Sequence, residues 1–252
     1  PGRRADIAVL DDLRTVRVSI VFRGGRLVAR DGDLIPYERP PRSIFVRSSM
    51  NVRWDKVNFK IEAKGRKAHV IGAIPDQIIT EHLIEDVTIE NGEAVQDVGL
   101  DLLKIAVVER HTHSGNHAVG FVKGIGLRRG AIASSVAHDH HNIVVIGADD
   151  RSMMTAARAV GEMSGGMIAA DGTEIVAQLP LPIAGLMSDQ PIETVRAQMD
   201  DLLRAAHAMG STLHDPFMAM SFLALAVIPE LKITDQGLVD VVKFQTIPLF
   251  AE

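Results

Sequence analysis

Alternation of apolar and polar residues marks the start of the chain as β-structure. Apolar residues occupy every second position from Val16 to Phe22, a pattern that predicts a strand with one buried face. Gly24 and Gly25 supply the positive φ angles of a tight turn, so residues 26–30 are predicted to return as the second arm of a hairpin. A further short strand is expected over residues 5–10.

Prolines at positions 36, 40 and 41 interrupt this pattern. Proline fixes φ and lacks an N–H donor, so residues 35–42 are predicted to be a linker rather than a regular element. We therefore place a domain boundary near residue 50 and expect two domains, residues 1–50 and residues 51–252.

The second domain mixes strand and helix signals. Continuous apolar runs with β-branched residues over 104–109, 131–137 and 142–148 predict buried strands. Residues 57–63 and 67–74 are predicted to form a hairpin around Lys64-Gly65-Arg66. Apolar residues among glycines over 116–127 form a weak helical pattern.

The last hundred residues contain the clearest helix signals. Asp149 and Asp150 are suited to open a helix that stops at Gly165-Gly166, and residues 191–209 carry an apolar stripe between Pro191 and Gly210. This region is also expected to contain a strand pair around Asp171-Gly172, a buried helix at 216–228 and a strand within 238–250. Earlier in the chain, residues 78–83 are expected to form a third strand after those at 57–63 and 67–74. The fold class is therefore α+β or α/β.

Composition narrows the functional classes. The chain has 252 residues, no cysteine, 27 Lys and Arg against 32 Asp and Glu, and a formal net charge of −5. A disulfide framework and thiolate chemistry are excluded, and the absence of a basic stripe argues against nucleic acid as a partner. The cysteine-free, mildly acidic composition is typical of a cytoplasmic protein. No apolar stretch approaches the roughly 18 residues of a membrane span. The start at Pro1, without a signal peptide, suggests a piece of a longer chain.

Six of the ten histidines lie within 31 residues, at positions 111, 113, 117, 138, 140 and 141. Two groups of them follow predicted strands, where loops of an α/β sheet carry function, and imidazoles with Asp139 would suit a divalent metal. The alternative is that they hydrogen-bond to loop backbone, since no spacing matches a named metal motif. The glycine-rich stretch 123–130 has Arg129 where a dinucleotide fingerprint needs glycine, which favours a structural loop.

Several short blocks, spread over a little under half of the chain, resemble the C-terminal region of bacterial adenine deaminases. They are Glu109-Arg110-His111, Ser114-Gly115-Asn116, Gly120-Phe121-Val122-Lys123-Gly124, Gly126-Leu127, Gly130-Ala131-Ile132-Ala133, Ser135-Val136-Ala137-His138-Asp139, His141-Asn142, Leu179-Pro180-Leu181-Pro182-Ile183-Ala184-Gly185-Leu186-Met187-Ser188 and Asp215-Pro216-Phe217-Met218. Residues 5–11 are similar to the segment by which amidohydrolase-superfamily chains leave the catalytic barrel and complete a small β-sandwich.

The resemblance implies a hydrolase of purine metabolism that converts adenine and water to hypoxanthine and ammonia, acting on a cyclic amidine C–N bond. In the family a metal-bound hydroxide attacks C6 of the purine and a carboxylate moves protons. The ligands of that Mn or Fe ion belong to a (β/α)8 barrel, which alone takes about 250 residues. We therefore expect the barrel, and with it every metal ligand, to lie outside this chain, which would be inactive alone.

The resemblance also selects candidate site residues. Positions 113 and 140 vary in the family, so the candidates are Glu109, His111, Asn116, His138, Asp139, His141 and Asn142, with Arg110 beside them. They would converge on one sheet edge and face the barrel mouth, or form a buried polar network that holds two loops.

Three hypotheses follow from these observations. The chain supports or caps the barrel of an adenine deaminase, with that barrel and further copies of the chain as partners. Alternatively it is a non-catalytic module for structure and oligomerisation, or the histidine cluster binds a metal of its own.

Overall fold

The computed structural model of the protein describes residues 2–36 and 48–251. They form two compact units, one within residues 1–45 and one within residues 46–252. Residues 37–42 of the expected linker lie outside the described residues, and the assignment of domains 1–50 and 51–252 stays a prediction.

Residues 2–36 of the first unit form one antiparallel sheet of four strands in the order β1-β2-β3-β4. Its strands are β1 (Ile7–Asp12), β2 (Arg17–Arg23), β3 (Arg26–Arg30) and β4 (Asp33–Leu34). The hairpin expected around Gly24-Gly25 is confirmed as the β2–β3 pair. None of the residues 2–36 is buried within the described structure, so this sheet has no core of its own.

Over residues 48–251 the second unit contains three helices and three sheets. The largest of these sheets has eight strands in the order β14-β13-β11-β12-β9-β10-β5-β6. The strands are β5 (Lys67–Ala73), β6 (Thr80–Asp86), β7 (Thr88–Glu90), β8 (Glu93–Val95), β9 (Leu103–Val108), β10 (His117–Lys123), β11 (Ala131–Ser134), β12 (Ile143–Gly147), β13 (Gly166–Asp171), β14 (Glu174–Pro180), β15 (Leu231–Thr234), β16 (Gly237–Asp240) and β17 (Gln245–Ile247). The helices are α1 (Asp150–Glu162), α2 (Ile192–Ala208) and α3 (Pro216–Leu223).

The eight-stranded sheet is covered on both faces. One core contains α1 residues such as Met153 and Val160, and the other contains residues of α2, α3 and the strands β15 and β16. The protein is therefore a mixed α/β protein with several sheets. Within the described ranges no sheet closes into a barrel, and no helix there is long and apolar enough to cross a membrane.

Strong local signals produced the correct elements. The three continuous apolar runs form β9, β11 and β12, and every residue of these strands is buried. Asp149 caps α1 by accepting a hydrogen bond from the Ser152 backbone N–H. Buried Lys104 fixes the same end of α1, because its Nζ donates to Asp150 at 2.8 Å and to the Phe59 carbonyl at 2.8 Å.

Two predictions of local structure are wrong. Residues 117–123, predicted as part of a helix, form strand β10, which pairs with β9 and β5. Gly120 suits a packed strand, since an added Cβ would lie 3.3 Å from the Leu238 side chain. Residues 57–63 do not pair with β5, whose hairpin partner is β6. Instead Phe59 and Ile61 are buried in two separate apolar clusters.

Strand β15, which the apolar pattern does not predict, contains a buried lysine. Lys232 has 0% exposure, and its Nζ donates to the Ile78 carbonyl at 2.8 Å. Burial disfavours the charged ammonium and lowers the pKa of Lys232 to about 8. The pKa of Lys232 is thus lower in the folded chain than in the unfolded chain. Burial of the ammonium therefore lowers the free energy of unfolding by its full amount below pH 8. This loss shrinks as pH rises from 8 and is gone above 10.5.

We predict that Lys232→Met raises the free energy of unfolding at pH 7 by about 1–3 kcal/mol, because an apolar side chain replaces a buried charge. The wild-type protein should gain stability between pH 8 and 10.5, and the variant should lack that gain. Urea unfolding across this pH range measures both effects. Lys64→Met, at an exposed lysine, is the matched control; a variant less stable than the wild type at pH 7 would contradict the prediction.

Candidate functional site

Strand order brings the two histidine-bearing loops to the same edge of the sheet. Strand β12 lies between β9 and β11 and is antiparallel to both. Strands β9 and β11 therefore run in the same direction, and their C-terminal ends meet at one edge. The loop 109–116 follows β9 and the loop 135–142 follows β11, so both loops lie at this edge.

Glu109 holds the first loop together. Its side chain accepts hydrogen bonds from the backbone N–H groups of His111, Thr112 and Ser114 and from the Ser114 hydroxyl at 2.8 Å. Burial, the largest influence, opposes ionisation of this carboxyl, but these hydrogen bonds outweigh it and lower the pKa of Glu109 to about 2. Glu109 is therefore an ionised carboxylate whose acceptor capacity is used within its own loop.

Arg110 joins three segments of the second unit. Its side chain is 1% exposed, and its guanidinium donates to the carbonyls of Ser49, His141 and Ala184 and to the Ser49 hydroxyl. Burial lowers the pKa of Arg110, and the Glu109 charge opposes this. All acceptors are neutral oxygen atoms, so the buried guanidinium serves as a hydrogen-bonding hub that fixes the second loop.

His138 is held against helix α3. Its ring stacks on Phe222 with centroids 4.7 Å apart and planes inclined by 9°, and its Nδ1 lies 3.4 Å from the Ser221 hydroxyl. The ring of His141 lies 6.2 Å away. The neighbouring Asp139 side chain is exposed. Stacking thus fixes the imidazole beside a carboxylate that is open to solvent.

The other residues of the second loop make structural contacts. Nδ1 of His140 accepts from the Asn142 backbone N–H at 3.0 Å and its Nε2 donates to the Ala224 carbonyl at 3.1 Å, which defines a neutral tautomer. Burial lowers the pKa of His140, against the opposing influences of Ala224 and Asp235. The Asn142 side-chain amide donates to Asp235 at 3.3 Å.

His141 is less completely satisfied. Its backbone adopts a positive φ of 51°, and its Nδ1 is buried without a partner among the described residues, as is Oδ1 of Asn142. Burial lowers the pKa of His141, and the positive charge of Arg110 adds to this effect. His141 is therefore neutral at pH 7.

Two candidates of the first loop, His111 and Asn116, are open to solvent, as is the neighbouring His113. His111 reaches the second loop through its Nε2, 2.8 Å from the His140 carbonyl. The loops thus contact each other directly. Of the seven candidates, Glu109 and Asn142 are buried in the hydrogen-bond network, whereas Asp139, His111 and Asn116 face outward.

The residues present do not fit a metal ion. Among residues 2–36 and 48–251, no group of three His, Asp or Glu side chains is spaced to hold one. His111 and His140 each have a ring nitrogen within hydrogen-bond distance of a backbone carbonyl. The donor set at this edge therefore supports hydrogen bonding rather than coordination.

Sequence reasoning missed the residues that hold the site from a distance. Phe222 and Ser221 support His138 from α3, and Asp235 supports Asn142 across 93 positions. It also missed a second histidine pair, His69 and His82, whose ring nitrogens lie 2.8 Å apart. These contacts join elements far apart in the chain, so no local pattern signals them.

The fold and the site together define a mixed α/β domain in which two histidine-rich, hydrogen-bonded loops lie at the C-terminal ends of β9 and β11. Residues 77–245 match the family model for the adenine deaminase C-terminal domain. The chain belongs to the adenine deaminase C-terminal domain family, which confirms the resemblance inferred from the sequence.

Curated relatives named adenine deaminase match almost the whole chain. The protein of Desulfatibacillum aliphaticivorans is 53% identical over 99% of this chain and 44% of its own length. The protein of Methanothrix thermoacetophila is 50% identical over 100% of this chain and 44% of its own length. The protein of Brucella abortus is 44% identical over 97% of this chain and 42% of its own length. The chain thus spans less than half the length of these relatives.

We predict that Glu109→Gln lowers the free energy of unfolding at pH 7 by about 2–3 kcal/mol, because a neutral amide replaces a carboxylate that several N–H and O–H donors stabilise. The pKa of Glu109 lies below its ordinary value of 4.5, so its contribution is present above pH 4.5 and is lost as pH falls toward 2. In the variant, the free energy of unfolding should lack this decrease between pH 4.5 and 2.

Urea unfolding at pH 7 and at decreasing pH measures the effect. Glu62→Gln is the matched control, because the Glu62 side chain is 81% exposed. Equal stability losses for the two variants would contradict the role assigned to Glu109.

Proposed function

We propose that the chain is the C-terminal part of a cytoplasmic, metal-dependent adenine deaminase, which converts adenine and water to hypoxanthine and ammonia. The observation that carries the proposal is the family match over residues 77–245, together with relatives of that name more than twice as long as the chain. The catalytic barrel of the amidohydrolase superfamily would occupy the part of those relatives that this chain does not match.

The proposal assigns the Mn or Fe ion to that other part. It is supported by the donor set of the described residues, in which no group of side chains is spaced to hold a metal. The contribution of this chain would be an edge that faces the barrel, where exposed Asp139 and stacked His138 can hydrogen-bond to the partner surface or to the substrate. The isolated chain would be inactive.

The first unit supports a partner surface within the longer protein. Its single sheet leaves Ile7 52%, Val9 39% and Val18 39% exposed, which is unusual for apolar residues on adjacent strands. In the proposal a second sheet from the longer protein covers these residues and completes a β-sandwich.

A non-catalytic role in structure and oligomerisation is the second candidate. It is favoured by Glu109 and Arg110, whose polar atoms are used in contacts that fix the two loops. In that case the histidine edge would shape an interface, and its exposed side chains would not affect the reaction.

We predict that the isolated 252-residue chain produces no hypoxanthine from adenine in the presence of added Mn(II) or Fe(II), because its described residues offer no metal site. Absorbance or chromatography of the purine product measures this. The full-length relative from Desulfatibacillum aliphaticivorans is the positive control. Turnover by the isolated chain would contradict the assignment of the chemistry to the barrel.

We predict that replacing Asp139 or His138 by Asn in a full-length relative, at the matching positions, lowers kcat/KM about tenfold or more with unchanged assembly. Such a loss is within what one positioned polar group supplies. Steady-state kinetics and size measurement test this, with Glu90→Gln at an exposed carboxylate of β7 as the control. Unchanged kinetics in both site variants would favour the structural role.

A further inference from the structure

The exposed methionines of the protein lie beside the two histidine-bearing loops. The chain has ten methionines, and the structure describes all of them. Met187 is 57% and Met218 53% exposed, whereas the others are buried or partly buried. Methionine is among the residue types most often buried, and on protein surfaces it is enriched where proteins bind one another. The position of these two side chains therefore indicates an interaction surface.

A third loop lies at the same end of the sheet. Strand β13 is antiparallel to both β11 and β14, so β14 ends where β9 and β11 end. The loop that follows β14 contains a tight hairpin, in which Ile183 and Met187 exchange backbone hydrogen bonds of 3.0 and 3.1 Å. The hairpin turns at Ala184 and Gly185, which both have positive φ. Met187 thus lies on a formed turn beside the loops 109–116 and 135–142.

The other two loops hold this hairpin in place. The Arg110 guanidinium donates to the Ala184 carbonyl at 3.0 Å, and the Ser135 hydroxyl donates to the Gly185 carbonyl at 2.7 Å. A Cβ added to Gly185 would lie 3.0 Å from Nη2 of Arg110, so the turn packs directly on that side chain. The hairpin backbone is fixed from within the protein, while the Met187 side chain stays open to solvent.

Met218 is fixed beside the second loop by helix α3. Its backbone N–H donates to the capping carboxylate of Asp215 at 2.8 Å, and its carbonyl accepts from the Ser221 hydroxyl at 2.8 Å. Met218 precedes Phe222 by four residues, so the two side chains share one face of the helix. Phe222 stacks on His138. The exposed thioether therefore lies next to the histidine that the second loop places against α3.

We propose that Met187 and Met218 are the anchors by which this end of the sheet binds the part of the longer protein that this chain does not match. The loop 135–142 contacts both the hairpin and α3, and its exposed residue is Asp139. The occupant therefore has apolar pockets for two thioether side chains and a basic or N–H group for one carboxylate. This inference rests on the proposed function, because its occupant belongs to the longer protein.

The lengths of the relatives favour this occupant over a free protein. Relatives that match almost the whole chain extend beyond the match for more than half of their length. A covalently linked part is present at an effective concentration of up to about 1 mM, so a surface with a few anchors is sufficient. A free partner at micromolar concentration needs a surface of about 800 Å² on each side. Since the hairpin and α3 are ordered before binding, little conformational entropy is lost when they bind.

The test measures burial by thiol reactivity. Met187→Cys and Met218→Cys are made in the 252-residue chain, which has no cysteine, and at the matching positions of the full-length relative from Desulfatibacillum aliphaticivorans. Maleimide labelling, followed peptide by peptide in a mass spectrometer, should be about tenfold or more slower in the full-length protein, because a covered site reacts only when it opens. Thr173→Cys, exposed in the turn at the opposite ends of β13 and β14, is the matched control and should react equally in both.

A charged variant supplies a second measurement. In the full-length protein, Met187→Lys should return the labelling rate of the thiol at position 218 to that of the isolated chain, since burial of an unpaired charge is costly. Thr173→Lys should leave that rate unchanged.

Equal labelling rates in the chain and in the full-length protein at both positions would overturn the inference. Protection within the isolated chain that increases with its concentration would also overturn it, because a second copy would then be the occupant. Adenine turnover is measured on the unsubstituted full-length protein. Turnover with unprotected thiols would contradict this inference alone, whereas protected thiols without turnover would support it and contradict the proposed reaction.

Discussion

Burial of both faces of the eight-stranded sheet is the constraint on which the rest of the second unit depends. Strands β9, β11 and β12 have no accessible residue, because α1 covers one face and α2, α3, β15 and β16 cover the other. Such strands are mostly apolar on both sides, and the polar exceptions, Lys104 of β9 and Ser134 of β11, lie at or next to a strand end. Polar chemistry can therefore lie only at strand ends and sheet edges, and the strand order decides which ends meet.

Once the loops leave the sheet, their backbone groups need new hydrogen-bond partners. Glu109 supplies these for the first loop, since its carboxylate replaces the strand neighbour as the acceptor for three backbone N–H groups. Arg110, the next residue, binds carbonyls from the second loop and from two further segments. Adjacent residues of opposite charge thus have separate tasks, one within a loop and one between loops.

The parts of the fold that were predictable are those with local causes. Apolar runs predicted β9, β11 and β12, and capping residues together with an apolar stripe predicted α1 and α2. Strand β10 was not predictable from periodicity, because its glycine, Gly120, reflects the close approach of Leu238, more than a hundred residues away. A lysine in the middle of β15 likewise hides a strand whose burial is decided by tertiary packing.

The same distinction applies to the site. The residues of both loops were predicted as candidates, and the antiparallel placement of β12 explains why they meet. Which of them are open could not be predicted, since that depends on α3 and on Asp235. The candidate residues look alike in the sequence, yet Glu109 is enclosed by donors whereas Asp139 is exposed.

The electrostatics of the second loop follow from this enclosure. Burial keeps the pKa values of His140 and His141 below 6.5, and for His141 the nearby Arg110 charge acts in the same direction. Both imidazoles are therefore neutral at pH 7, although the loop contains three histidines. Asp139 is the one exposed residue of the loop 135–142, so its carboxyl group, rather than either of these imidazoles, is what the loop presents to solvent.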